Sequence, residues 1–166
     1  RVGGVDVVAL GLAQVRRVFP RGRGMLQPLQ FRASNSVHKA LSEAGRTEDV
    51  RFSPDNRRLV LAGYGVNHVL ILQIAVEPAP AGPAIVVDDF MELASDGIKS
   101  VHGLDFVDDR TLAIANRDGL VSIVEIPPGE LAGRRSRVDP VREIAGGMFC
   151  RLKSPGSIAV RREAGG

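Results

Sequence analysis

The sequence predicts an all-β fold assembled from repeated four-stranded antiparallel sheets. Three observations carry that prediction. Two segments align with one another: EDVRFSPDNRRLVLAGYGVNHVLILQI from Glu48 and HGLDFVDDRTLAIANRDGLVSIVEI from His102. Landmarks recur at a nearly fixed interval, since Val50, Leu104 and Ile158 stand 54 apart, and Leu41, Leu93 and Ile144 stand 52 and 51 apart. Apolar residues alternate with polar ones or form short blocks between turn residues, which is the patterning of strands.

The elements follow in order. Val50-Arg51-Phe52 and Leu104-Asp105-Phe106 alternate as a half-buried first strand does. Polar turns follow, Pro54-Asp55-Asn56-Arg57 in one unit and Asp108-Asp109-Arg110 in the next. Residues 59–62 and 112–115 are nearly continuous apolar runs, as expected of a second strand covered on both faces. Gly65-Val66-Asn67 and Asp118-Gly119 read as hairpin turns, and the β-branched runs 69–74 and 121–126 as third strands. A fourth strand is expected near residues 84–87. Pro78, Pro80 and Pro83 precede it, and Pro127-Pro128 hold the matching place, so proline is expected to interrupt pairing between third and fourth strands. The expected core is Val50, Phe52, Leu61, Leu104, Phe106 and Ile114. Residues 37–44 (VHKALSEA) make the best helical stretch, yet their counterparts FMELASDG and VREIAGG point instead to a strand end and a link between units.

Four strands in roughly fifty residues describe a blade of a β-propeller. Blades then occupy residues 46–97 and 98–149, and residues 150–166 carry the first strand of a further blade at 157–160. Projected backward, the period puts strands near 5–9, 15–19 and Phe31, so residues 1–45 are either strands two to four of an earlier blade or a disordered Gly/Arg leader. The 166 residues thus read as one partial propeller domain, an incomplete ring within one chain. Propellers close with about four to eight blades. The expectation is either a fragment of a longer propeller or a homodimer that completes a six-bladed ring. A chain opening on Arg1 fits a processed or truncated piece, or a true start at Met25.

Composition narrows the function classes. Hydrophobic residues make up 44% and charged residues 25%, a soluble globular balance. No apolar run is long enough to span a membrane. The N-terminal apolar run precedes most of its basic charge, the wrong order for a signal peptide. Cys150 is the single cysteine, so internal disulfides and cysteine zinc clusters are excluded and a reducing, cytoplasmic setting is expected. Charge is uneven: eight basic against two acidic residues over 1–46, six against fourteen over 47–132, and eight against three over 133–166. The arginines are scattered, and with no Trp and one Tyr there are few stacking platforms, so no nucleic-acid partner is expected.

The motifs VRFSPDNRRLVLAGYGVNHVLILQI and HGLDFVDDRTLAIANRDGLVSIVEI resemble the β-propeller group that includes YVTN-type, NHL and lactonase-like proteins, and more distantly WD-repeat (WD40-like) proteins. The turn FSPDNRRL and the run ANRDGLVSI carry the likeness, which covers about residues 40–160. WD-repeat proteins proper would show a Trp-Asp pair, which this chain lacks. The resemblance implies a ligand site over the central channel, on loops entering the innermost strands. It implies a divalent metal held by Glu, Asn, Asp and His from several blades if the chain is of the lactonase-like kind.

On that pattern the candidate ligand-binding residues are Glu48, Asp49, His102, Asn116 and Arg117, with Glu48 and His102 as the candidate metal ligands. Glu48 and His102 hold equivalent places before the first strands and are expected at the same end, facing the axis. Gly156 holds that place in the third unit and removes one possible ligand. His68 reads as a solvent-facing turn residue. Asp88-Asp89 and Asp108-Asp109 read as solvated turns. The glycine pairs lack the Lys-Ser/Thr of a phosphate loop. The serines Ser34, Ser36 and Ser53 lie in no nucleophile elbow. The expected function is a non-catalytic module that binds a protein partner or small ligand, with no cofactor; the alternative is a metal-dependent lactonase-like hydrolase.

Overall fold

The computed structural model describes residues 29–80, 82–146 and 152–161. Strands account for 48% of these residues and helix for 7%. The chain runs β1 (Gln30–Ala33), α1 (Asn35–Glu43), β2 (Thr47–Phe52), β3 (Arg58–Gly63), β4 (His68–Glu77) and β5 (Ala84–Ala94). It continues through β6 (Val101–Phe106), β7 (Thr111–Asn116), β8 (Val121–Glu125), β9 (Arg134–Arg137) and β10 (Arg142–Ile144).

Two antiparallel meanders dominate, β2-β3-β4-β5 and β6-β7-β8-β10. They share a register. Val50 and Phe52 face Leu61 and Leu59 in the first, as Leu104 and Phe106 face Ile114 and Leu112 in the second. Leu93 pairs with Val69, and Ile144 pairs with Val121. The sequence repeat is therefore a repeat of hydrogen-bonded structure.

Period-2 alternation sorts the side chains into layers. From β3, Val60 and Ala62 face the second sheet and join Val69, Ile71, Leu104, Phe106, Leu112 and Ile114 in one buried cluster. Leu59 and Leu61 face the other way and pack with Leu70, Leu72, Val37 and Ala40 beneath α1. The equivalents of Leu59 and Leu61 are Leu112 and Ile114, which the first sheet covers. So α1 lies on the face of the first sheet that corresponds to the face by which the second sheet packs on the first. Each fully buried Leu or Ile here contributes on the order of 2 kcal/mol.

The helix corrects the reading of residues 37–44 as a strand end and link. Ser34 caps it in extended conformation, its Oγ accepting from the Val37 N–H at 3.3 Å, as N-cap serines do. Gly45 follows at φ 71°, the left-handed position that commonly ends a helix. The buried residues of α1, Val37 and Ala40, lie one turn apart on the face that meets the first sheet. Local capping and an apolar stripe outweigh the sequence likeness to FMELASDG. Leu41 therefore lies in a helix, and only Leu93 and Ile144 are structural equivalents. Gly63 makes the docking possible, because a Cβ there would fall 1.9 Å from the Ala44 carbonyl oxygen.

The prolines do not interrupt pairing. β4 and β5 form the longest ladder, from His68–Ala94 to Glu77–Ala84, with Pro78, Pro80 and Pro83 confined to the connection. The fourth strand expected near 84–87 is present and runs on to Ala94. In the second unit, strand β9 follows Pro127-Pro128 and leaves for the other sheet, pairing parallel with Met91–Ala94, and the fourth strand is β10. The strand expected near Phe31 exists as β1, but it pairs parallel with Ala84–Val87 and so joins the first sheet.

Of the expected core, Leu61, Leu104, Phe106 and Ile114 are buried, whereas Val50 and Phe52 are half-buried against the helix-side cluster. Residues 157–160 form no ladder among the described residues, although the Val160 N–H donates to Asp105 Oδ2 at 2.7 Å. The strands expected at 5–9 and 15–19, and Cys150, lie outside the described residues. No helix among the described residues is long and apolar enough to cross a membrane.

Candidate functional site

Both first strands carry the same irregularity in the same place. Pairing in β2 steps from Thr47–Gly63 to Asp49–Ala62, leaving Glu48 as the extra residue. Pairing in β6 steps from Val101–Asn116 to Gly103–Ala115, leaving His102 as the extra residue. A bulge re-aims the side chain it carries. Glu48 and His102 consequently meet, with Glu48 Oε2 3.9 Å from His102 Nε2. The sequence places these two residues at one end of a propeller facing its axis; the structure puts them side by side, and the bulge is the device that brings them there.

Two guanidinium groups close on Glu48. Arg46 donates from Nε and Nη2 to Oε1 at 3.0 and 2.6 Å, and Arg117 donates from Nη2 to Oε2 at 2.7 Å. The Glu48 side chain is only 9% exposed, against 71% for Arg46 and 34% for Arg117. The hydrogen bonds from Arg46 hold the Glu48 carboxyl below the usual glutamate range; burial opposes them and Arg117 reinforces them. Tyr64 is 54% exposed. Its ring lies under both cations, 4.4 Å from the Arg46 guanidinium carbon and 5.6 Å from that of Arg117, within the range of cation–π attraction.

The cluster is built from equivalent positions. Glu48 and His102 are one pair. Tyr64 and Arg117, each the first residue after the second strand of its unit, are the other. The C-terminal segment also reaches it: a Cβ at Gly156 would sit 3.1 Å from His102 Cε1, so the absence of a side chain lets residue 156 pass across the imidazole. His102 Nδ1 and Arg117 Nε are buried with no hydrogen-bond partner among the described residues.

Two candidates serve the scaffold instead. Asp49 Oδ1 accepts from the Val50 N–H and from Arg51, and its Oδ2 accepts from the Leu104 N–H at 3.0 Å, tying one first strand to the next. Asp105 repeats the device with Phe106 and Val160. Asn116 is 1% exposed, and its amide bonds the Lys99 N–H, the Gly97 carbonyl and Ser122 Oγ.

The donor set does not fit a divalent cation. Both Glu48 oxygens are taken by arginines, whose charge repels a metal ion. Zinc sites use three or four protein ligands. Among the described residues no such group of His, Cys, Asp or Glu side chains is placed to hold one.

Sequence reasoning misses Arg46 and Tyr64. The repeat alignment holds a signal for Tyr64, which stands opposite Arg117. Arg46 carries none beyond its position two residues before Glu48. Elsewhere, His68 is half-buried at the start of β4 rather than solvent-facing. Asp89 lies in β5, not in a turn, and accepts from the Ala132 and Gly133 N–H groups, which ties the β8–β9 connection down. Asp109 accepts from the Asp55 N–H and links the turns of the two units. Comparison with known protein families and with curated proteins finds no match for this chain.

Proposed function

We propose that the two meanders are neighbouring blades of a β-propeller of the YVTN, NHL and lactonase-like kind, and that the chain is a non-catalytic binding module. Its ligand face is the cluster of Arg46, Glu48, Tyr64, His102 and Arg117. The observation that carries this reading is the pairing of Glu48 with two arginines beside an exposed tyrosine. Exposed Tyr and Arg are the residues that anchor partners at interfaces, and a carboxylate clamped by two guanidinium groups is a poor base and a poor metal ligand. The propeller reading is supported by the shared register, the face-to-face packing and the meeting of equivalent positions where β2 lies against β6. More blades are then needed, from further repeats or from a second copy that completes a six-bladed ring. Closing a ring across the far face of the first sheet requires α1 to move aside. A cytoplasmic setting belongs to the same proposal and rests on the single cysteine.

A thermal-shift series with magnesium, calcium, manganese and zinc separates this reading from the hydrolase. The binding module shows no metal-dependent rise in Tm. A rise that disappears in both His102→Ala and Glu48→Ala overturns the proposal in favour of the metal-dependent enzyme.

A further inference from the structure

We infer that the cluster is an anion site whose built-in occupant is Glu48, and that its external ligand carries a carboxylate. The inference rests on the binding-face reading above and gives that face a ligand class. Arg46 and Arg117 hold one carboxylate in the manner in which arginines recognise carboxylate ligands, through charge-assisted N–H···O bonds. Two guanidinium charges stand against one carboxylate charge, so the cluster keeps a net positive charge even with His102 neutral. No other carboxylate is ion-paired with either arginine among the described residues. The excess charge is accessible, because the Arg46 side chain is 71% exposed and Tyr64, whose ring lies beneath it, is 54% exposed. The ring adds cation–π attraction that holds the Arg46 guanidinium over it.

Arg117 differs from Arg46 in burial. Its Nε is enclosed without a partner among the described residues, and a single bond from Nη2 holds it to Glu48. A ligand carboxylate that displaces Glu48 gains two cations already oriented towards one point. Glu48 thereby sets the affinity: it keeps the arginines apart and in place, and it competes with the ligand.

The test titrates the full chain with three probes, succinate, a short Asp/Glu-rich peptide and a Gly/Ser peptide of equal length, read by isothermal calorimetry at low salt. The expected result is binding of an acidic probe and none of the neutral peptide. Succinate alone points to a small carboxylate ligand, and the acidic peptide alone to an acidic segment of a protein. Arg46→Gln, at an exposed position that folding tolerates, and Arg117→Gln each weaken binding about tenfold, the loss of one charge-assisted hydrogen bond. Glu48→Gln strengthens it by a similar factor. Failure of both acidic probes, or binding indifferent to Arg46→Gln and to Glu48→Gln, overturns the inference. Binding of the neutral peptide that Tyr64→Ala abolishes, with the acidic probes silent, overturns the carboxylate assignment alone and leaves the binding face standing.

Discussion

The two repeats anchor the end of their second strand to the link before their first strand by opposite means. In the first repeat the position is Gly63, and the absence of a side chain lets the Ala44 carbonyl press against the backbone. In the second it is Asn116, whose buried amide reaches across to Lys99 and Gly97. The first repeat needs close approach because a helix arrives there. The second receives an extended link and fills the gap with hydrogen bonds. One fold position thus accepts either no side chain or a fully bonded polar one, and what precedes the strand decides which.

The largest effect is expected from breaking the close approach. Gly63→Ala forces backbone apart from backbone and should destabilise the protein by about 3 kcal/mol, at the upper end of overpacking costs. At Gly65 a Cβ meets nothing, and the residue has a positive φ of 76°. Gly65→Ala should therefore cost only about 1 kcal/mol, through that backbone conformation alone. Urea unfolding of the two variants measures the contrast. Equal losses would show that the Ala44 contact does not constrain the fold.

Asn116→Ala comes next. It leaves the Gly97 carbonyl buried without this partner and takes the acceptor from the part-buried Lys99 N–H, a cost of about 2 kcal/mol. Asn116→Gly, which copies the first repeat, should be no better, because no carbonyl arrives to fill the space.

Ser34→Ala tests the helix that distinguishes the first repeat. Loss of the cap should cost about 1 kcal/mol. Amide exchange should quicken in α1 and in the helix-facing residues Leu59 and Leu61, with β7 unchanged. Faster exchange throughout would mean that α1 is not a separable cover.

The smallest effect is a difference in pH response. His68 has Leu120 as its equivalent in the second repeat. Burial holds the His68 imidazole below its usual range; Glu92 opposes this and Arg135 adds to it. The unfolded chain therefore binds the proton first. Stability should fall as pH drops below about 6.5, the ordinary histidine value, and level off once the folded imidazole is protonated as well. His68→Leu should flatten that step. The aspartates of the two turns respond alike and lower down. Asp108 is held below the usual range chiefly by the Arg110 N–H. For Asp55, burial pushes upward, and Ser53 and Arg57 outweigh it to hold the carboxyl low. The stability these carboxylates add is present above about pH 4 and lost as pH falls below it, where they protonate.

The first three strands of each repeat are legible in the sequence because they depend on period-2 alternation and turn residues, both written locally. Leu59–Leu61 and Leu112–Ile114 can be aligned without knowing what covers them. The helix is not legible as such, since its stripe of Val37 and Ala40 competes with homologous-looking strand ends and its cap is the single polar residue Ser34. Nor is β9, because a parallel strand built of Arg134, Arg135, Ser136 and Arg137 has no apolar alternation and is fixed by the neighbouring edge of β5. Glu48 and His102 emerge from counting repeats. The bulges that bring them together depend on register, which no local pattern encodes.

The central claim is that the two repeats meet at the cluster around Glu48, and a double-mutant cycle on Glu48 and Arg117 tests it most directly. The two residues lie 69 positions apart in sequence and 2.7 Å apart in space. Unfolding free energies of Glu48→Gln, Arg117→Gln and the double variant should give a coupling of about 1 kcal/mol, as expected of groups in direct contact. A coupling of zero, with both single variants folded, would contradict the account.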